Sequence, residues 1–278
     1  MLRTHQEASR AAIVRERQPA MDEESVFDWV DGEPFFHGLP VLHKSIEAGG
    51  RIFTIAGVKD AADLLDDSEI GRRFIEEDIA PYGLELWPSA VMLARQVMTG
   101  ESGQGRAAIE LGCGLGLVSL AASTANWSVE ATDNDTDALA FTNYNAQLNH
   151  VRLAGSSVLD WHDSRPPLSR TRASDTPRGL KPAAQDGVGI GSNESRYVRV
   201  FAADVLYQAV DHDPILRCID GLLDDGGVAV LVDPNRGVAD RFGELAEKAG
   251  FRVGTTPTST RVDNERTVNA RIFELTRA

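Results

Sequence analysis

Three glycines on alternate positions separate two apolar runs in the stretch IELGCGLGLVSLAA, residues 109–122. The first run has the length of a buried parallel strand, and the second is typical of a helix that packs back on that strand. The glycines therefore lie at a strand-to-helix turn. Glycine there permits positive φ and a close ligand approach to backbone N–H groups, and the helix N-terminus adds partial positive charge. These features favour a nucleotide-like ligand.

The spacing of the glycines narrows the ligand class. The dinucleotide pattern G-x-G-x-x-G requires glycine at position 117, which is leucine, and the next frame ends on Ser119. No Gly-Lys-Ser/Thr follows, so the phosphate-binding P-loop is excluded. The remaining pattern, E-x-G-x-G-x-G, resembles motif I of class I S-adenosylmethionine-dependent methyltransferases. Its four residues are Glu110, Gly112, Gly114 and Gly116. The alternative is that these glycines form a structural turn in another kind of α/β protein.

An acidic residue ends the second predicted strand. In VEATDND, Asp133 follows the glycines by about twenty residues, the usual offset for a carboxylate that accepts hydrogen bonds from ribose hydroxyls. We expect Asp133 to bind the ribose and Asn134 to lie in the same cofactor site. Enzymes that use NAD share this offset, and a helix N-cap at Asp133 or Asp135 is the structural alternative.

The third predicted strand runs into VLDWHD. In methyltransferases of this type, the polar residue that ends this strand meets the adenine amino group, and the resemblance assigns that position to Asp160. Trp161 would then supply an apolar wall or stack for the base. A tryptophan that packs in the core without touching a ligand is the alternative.

The fourth predicted strand ends in VFAADVLYQ, where Asp204 and Tyr207 form D-x-x-Y. Ligands of open α/β sheets bind at the carboxyl ends of central strands, so both residues are candidate catalytic groups. Their structural alternatives are helix capping by Asp204 and core packing by Tyr207.

Several motifs in a fixed order extend the resemblance: GLELWPSAVMLA, ELGCGLGLVSL, ATDND followed by NYNAQLN, LDW, and ADVLY. Together they resemble the family-16, methyltransferase-like protein lysine methyltransferases, in the branch that includes the electron-transfer-flavoprotein β-subunit enzymes. The stretch LVDPNRGVADRFGELAEKAGF continues the resemblance, which covers residues 82–251. It implies a seven-strand methyltransferase fold, S-adenosyl-L-methionine as cofactor, and Trp87 near the methionine end of that cofactor. The D-x-x-Y residues would line the exit where substrate meets the methyl group.

Methyl transfer from a sulfonium is an in-line displacement that needs a neutral nucleophile and no metal, so positioning supplies most of the catalysis. A lysine amine, with a reference pKa near ~10.4, must be desolvated or pass its proton to water or a carboxylate. Asp204 could orient the ammonium and relay its proton, while Tyr207 could hydrogen-bond the amine or offer its ring face. The histidines lack metal-ligand spacing, so no metal is predicted.

Composition limits the partners. The 278 residues carry a net charge of −14, without a basic stripe, which argues against nucleic acid as the substrate. Two cysteines cannot form a disulfide framework, which favours a reducing cytoplasm. No apolar run approaches the ~20 residues that span a bilayer, and the amino terminus has no hydrophobic signal core, so no membrane association is expected.

Alternating strand and helix patterns from residue 107 predict a Rossmann-like, doubly wound, seven-stranded, mostly parallel sheet. The predicted strands are residues 107–111, 128–132, 154–159, 198–202, 227–232, 251–255 and 270–275. Residues 1–80 are predicted to form an amino-terminal arm, a β-hairpin closing on Gly49 and Gly50, and an acidic helical segment. Residues 81–278 form the methyltransferase domain in this prediction. The stretch 162–197, rich in Pro, Gly, Ser and Arg, is predicted to be a flexible insertion.

Three functions remain open at this point. The leading hypothesis is methylation of a lysine on a protein partner. The second is N-methylation of a small, nicotinamide-like amine, which would need a closed substrate pocket. The third is a non-catalytic binding module on the same fold, against which the intact glycines and Asp133 count. An open, acidic rim beside Asp204 would favour the protein substrate.

Overall fold

The structure is a computed structural model that describes residues 27–77, 81–163, 197–261 and 267–278. The predicted amino-terminal arm and residues 164–196 of the predicted insertion lie outside these ranges.

Small antiparallel units begin the described chain. The strands are β1 (Asp28–Val30), β2 (Glu33–Phe36), β3 (Leu39–Pro40), β4 (Leu42–Ala48) and β5 (Arg51–Gly57). Strands β1 to β3 form one sheet, which the sequence analysis did not predict, and β4 with β5 forms a separate hairpin. Gly49 and Gly50, both with positive φ, make the turn between β4 and β5. The predicted hairpin is therefore confirmed.

A seven-stranded sheet follows, and its strands are β6 (Ala107–Leu111), β7 (Ser128–Asp133), β8 (Gly155–Val158), β9 (Tyr197–Ala203), β10 (Leu223–Asp233), β11 (Phe251–Arg261) and β12 (Thr267–Arg277). Their order across the sheet is β8-β7-β6-β9-β10-β12-β11. Strands β6 to β10 pair in parallel, and β12 is antiparallel to both β10 and β11. The predicted fold class is confirmed.

Six α-helices are described, and their bounds are α1 (Ser68–Glu77), α2 (Pro88–Thr99), α3 (Leu117–Thr124), α4 (Thr136–Leu148), α5 (His212–Leu222) and α6 (Phe242–Lys248). Helix α1 lies in the segment predicted to be acidic and helical. Within the described ranges, no helix is long and apolar enough to cross a membrane.

Both faces of the sheet are covered because side chains alternate along its strands. Phe201 of β9 belongs to the apolar cluster that includes α2, α3 and α4, whereas Val200 and Ala202 belong to the cluster that includes α5 and α6. This double burial explains the nearly continuous apolar runs of the parallel strands.

Two asparagines of the motif NYNAQLN hold the β4–β5 hairpin against α4. The Asn145 amide accepts a hydrogen bond from Ala56 N at 2.7 Å and donates to Ala56 O and Leu115 O. One turn later, Asn149 pairs in the same way with the backbone of Thr54, at 2.8 and 2.7 Å. The side chains thus bond the backbone groups along the edge of β5 that does not pair with β4.

The predicted division of the chain at residue 80 stays a prediction.

Candidate functional site

The carboxyl ends of the parallel strands meet along one edge of the sheet, where open α/β sheets bind their ligands. Most predicted site residues follow β6, β7, β8 and β9 at this edge: Gly112, Gly114, Gly116, Asp133, Asn134, Asp160, Trp161, Asp204 and Tyr207. Glu110 lies within β6, and Trp87 precedes α2. Folding therefore brings residues from distant parts of the sequence to one edge.

The glycine turn joins β6 to α3, and all three glycines have positive φ, between 52° and 81°. A Cβ added at each would approach a protein atom closely: Val205 Cγ1 at 2.9 Å from Gly112, Gly83 O at 2.9 Å from Gly114, and Thr142 Oγ1 at 2.7 Å from Gly116. Bare backbone is therefore required here by the protein's own packing as well as by backbone conformation.

Asp133 ends β7 with its side chain buried beside the glycine turn. Its Oδ2 accepts a hydrogen bond from Gly114 N at 2.9 Å, and its Oδ1 accepts one from Asp135 N at 3.0 Å. Burial raises the pKa of Asp133, and these backbone donors act in the opposite direction. The Asp135 carboxylate caps α4 by accepting from Asp137 N, so the capping alternative belongs to Asp135.

Glu110 has a different environment from the other predicted cofactor residues. Its side chain is buried against α3, where the Ser119 hydroxyl donates to its Oε2. Burial raises the pKa of Glu110 to about 8. A neutral carboxyl group at pH 7 is therefore part of the packing between β6 and α3.

The segment after β8 carries the predicted adenine contacts. Asp160 is exposed, and its Oδ1 accepts a hydrogen bond from His162 N at 2.8 Å. Trp161 is half-buried, and its ring lies 3.6 Å from where a Cβ of Gly112 would be. The Nε2 of His162 lies 2.8 Å from Asp211 Oδ1, which ties this segment to the one that follows β9.

Asp204 begins the turn after β9 with a left-handed backbone conformation, φ 66°. Such a conformation is uncommon outside glycine, although aspartate tolerates it better than most residues. Its N–H donates to Val232 O at 2.9 Å, which keeps this turn next to β10. The carboxylate is buried and forms an ion pair with the guanidinium of Arg236.

Three aromatic side chains pack in a row, and one of them, Trp87, lies beside this ion pair. Tyr82 packs edge-on against both Trp87 and Tyr207, with ring centroids 6.4 Å apart in each case. The indole N–H of Trp87 donates to Tyr82 O at 2.8 Å, and the Arg236 guanidinium carbon lies 5.9 Å from the Trp87 ring centroid. Tyr82 is 52% exposed and Tyr207 is 40% exposed. We call Tyr82, Trp87 and Tyr207 the aromatic rim.

Two further charged side chains hold the backbone of Arg236. Its N–H donates to Asp233 Oδ1 at 3.0 Å, and its carbonyl accepts from Arg271 Nη2 at 2.7 Å. Arg271 also pairs with Asp233 and Asp240. Burial lowers the pKa of Arg236 and raises that of Asp233, where Arg271 acts in the opposite direction.

The sequence analysis did not single out Tyr82 or Arg236. Both lie within or beside the stretches that carry the family resemblance, which was the available signal. No sequence motif fixes the distance of either residue from Asp204 along the chain. The three residues come from different loops, which only the folded sheet brings together.

Comparisons with known proteins bear on the family and the fold of this chain. Residues 68–175 match the family model described as lysine methyltransferase, which confirms the resemblance found in the sequence. Methyltransferase-like protein 22 of Mus musculus is 37% identical over 86 residues, which make up 28% of this chain and 22% of that protein. The chain thus spans about a fifth of the length of this curated relative.

A solved structure shares the fold. The chain is similar to SMU.776, which is named as a methyltransferase and was crystallised with SAH, with a TM-score of 0.52 and 12% identity. That match covers 84% of this chain and 55% of the other. Precorrin-6y C5,15-methyltransferase from Geobacter metallireducens GS-15 matches with a TM-score of 0.43 and 15% identity, covering 67% of this chain and 86% of the other.

Proposed function

We propose that this protein is an S-adenosylmethionine-dependent N-methyltransferase that acts on a lysine side chain of a protein partner. The observation that carries the proposal is the meeting of two half-sites at one sheet edge. One half, beside the glycine turn, suits a nucleoside. The other, formed by Asp204 and the aromatic rim, suits an alkyl amine. The family match over residues 68–175 supports the same cofactor and the same chemistry.

The residues of the first half fit the cofactor. Asp133 presents a carboxylate for vicinal ribose hydroxyls, and half-buried Trp161 offers a flat apolar surface for a base. Asp160 is an exposed acceptor beside that surface, and Asn134 is exposed next to Asp133. When bound, S-adenosylmethionine supplies an electrophilic methyl group on a sulfonium. These assignments are the ones predicted from the sequence.

The residues of the second half would receive and orient the amine. The aromatic rim would attract the incoming amine, because aromatic faces attract ammonium and guanidinium groups, and the Trp87 face already lies beside the Arg236 guanidinium. Asp204 would orient the incoming ammonium and accept its proton, so that the nitrogen lone pair is available for the in-line attack. The Tyr207 hydroxyl would hold the neutral amine afterwards.

The exposure of the rim bears on the choice between protein and small amine. A small-molecule enzyme needs a closed pocket, whereas a lysine on a folded protein must be reached from an open surface. Tyr82 and Tyr207 are half exposed, and the whole chain has a net charge of −14. The exposure supports a protein substrate, and the charge supports a basic surface around its lysine.

Incubation with radiolabelled methyl donor and a protein extract tests this function. We expect label on protein, recovered as methyl-lysine after acid hydrolysis, and no labelling by the Asp204→Asn variant. Label only in acid-soluble amines would support the small-molecule enzyme instead. Label on arginine or carboxylates would show that the residue assignment is wrong. Binding of S-adenosylhomocysteine without any transfer would favour the non-catalytic module.

A further inference from the structure

The Asp204 carboxylate is already occupied by a cation of this protein. Its two oxygens are inaccessible to solvent, and so is Nη1 of Arg236, which pairs with it. An external amine therefore cannot touch Asp204 while Arg236 stays in this position. The catalytic role proposed above requires the two side chains to separate.

Only the side chain of Arg236 is in a position to move. Its backbone is fixed on both sides, by Asp233 through the N–H and by Arg271 through the carbonyl. The side chain, in contrast, is 28% exposed, while that of Asp204 is 7% exposed. Rotation about the side-chain bonds of Arg236 would uncover Asp204 without disturbing the sheet. The face of Trp87 that now lies beside the guanidinium would then be available to the incoming cation.

We propose that the Arg236 guanidinium occupies, in the free protein, the site that receives the ammonium of the substrate, and that the substrate displaces it from Asp204. This inference rests on the proposed function. It makes Arg236 a specificity residue, because the exchange replaces one cation by another. A neutral nucleophile of the same size would leave Asp204 buried without a counter-charge, which is strongly unfavourable.

A consequence of this exchange is a reduced affinity for amines. When a binding-competent state is only partly populated, the apparent dissociation constant rises in inverse proportion to its population. Removing the guanidinium should therefore tighten the binding of a simple alkylammonium ion. n-Butylammonium is the appropriate probe because it reproduces the end of a lysine side chain.

The experiment compares n-butylammonium binding, followed by NMR titration without methyl donor, to the wild-type protein, Arg236→Met and Arg241→Met. Arg241→Met is the matched control because it removes the same positive charge from an exposed ion pair, the one between Arg241 and Glu244. We expect Arg236→Met to bind n-butylammonium roughly tenfold more tightly than the other two proteins. This factor corresponds to a wild-type site that is open about a tenth of the time. Adding Asp204→Asn to Arg236→Met should abolish the gain, and n-butanol should show none.

Equal affinity of folded Arg236→Met and Arg241→Met would overturn the proposal. A second measurement applies if Arg236→Met does not fold. The Arg236 Nε–H signal of the wild-type protein, assigned by its loss in Arg236→Lys, should shift at saturating n-butylammonium. An unchanged signal would equally overturn the exchange. Neither of these measurements depends on turnover. If the cation exchange is observed but no methyl-lysine forms in the extract, the proposed function is rejected and the exchange at Asp204 stands.

Discussion

The Asp133 carboxylate accepts a 2.9 Å hydrogen bond from the Gly114 amide and so joins the end of β7 to the glycine turn after β6. The same group is held on its other side by Asp135 N at 3.0 Å. One carboxyl group therefore both shapes the turn and lies at the predicted ribose position.

Replacing Asp133 by alanine should weaken S-adenosylhomocysteine binding by about 1–3 kcal/mol, because the ribose hydroxyls lose a charge-assisted partner. Isothermal titration calorimetry measures this change, with Asp137→Asn as the control because Asp137 instead pairs with Arg73. NAD titrated into the wild-type protein should give weaker binding. Equal or tighter NAD binding would contradict the cofactor assignment.

Gly114→Ala should destabilise the protein more than Gly105→Ala. Both positions have positive φ, so each substitution has a backbone cost of about 1–2 kcal/mol. At Gly114 the new Cβ would also lie 2.9 Å from the Gly83 carbonyl oxygen, whereas at Gly105 it would enter open space. Thermal unfolding compares the two variants. Similar melting temperatures would show that the contact between the turn and Gly83 is easily adjusted.

Asp204→Asn and Tyr207→Phe should retain most of the affinity for S-adenosylhomocysteine and lose turnover. Both residues lie on the proposed amine side of the site, after β9, while the predicted cofactor residues lie at or after the ends of β6, β7 and β8. Calorimetry and steady-state kinetics on the labelled protein substrate separate the two effects. If Asp204→Asn loses cofactor binding or does not fold, a structural role for the ion pair with Arg236 would explain Asp204 better.

Glu110 makes the stability of the protein depend on pH. Its pKa, raised from 4.5 to about 8, lies above that of the unfolded chain, so the folded protein holds an extra proton between these values. The resulting contribution to the free energy of unfolding is complete below pH 4.5. It is lost as the pH rises to 8, by up to about 1.4 kcal/mol per pH unit. Glu110→Gln should flatten this slope in urea unfolding at pH 5 to 9. If the variant shows the same dependence of unfolding free energy on pH, groups other than Glu110 cause it.

Methylation of the protein partner should slow as salt is added. The net charge of −14 attracts a basic substrate surface, and this attraction is screened as the Debye length falls to ~8 Å near physiological ionic strength. A small amine carries too little charge to show much of this effect. Initial rates at increasing NaCl concentration measure it, with n-butylamine as the comparison substrate. A rate on the protein substrate that is independent of salt would argue against steering.

Local patterns in the sequence were sufficient to locate the parallel strands and the glycine turn. The prediction of β6 at residues 107–111 coincides with the structure, because a short apolar run between glycines specifies a buried strand locally. The prediction for β11 ended at residue 255, whereas the strand continues to Arg261. Its outer half is polar, and its strand conformation comes from pairing with β12 rather than from an apolar pattern. The sheet of β1 to β3 was missed because its strands are short.

The family resemblance and the order of the motifs were readable from the sequence alone, since each motif is a run of neighbouring residues. The partner of Asp204 was not. Asp204 and Arg236 are far apart in the chain, and they meet because β9 and β10 pair in parallel and end side by side. Tyr82 reaches the same place from the segment before α2. Contacts of this kind depend on which strands become neighbours, so only the tertiary structure decided that the candidate amine site already holds a cation.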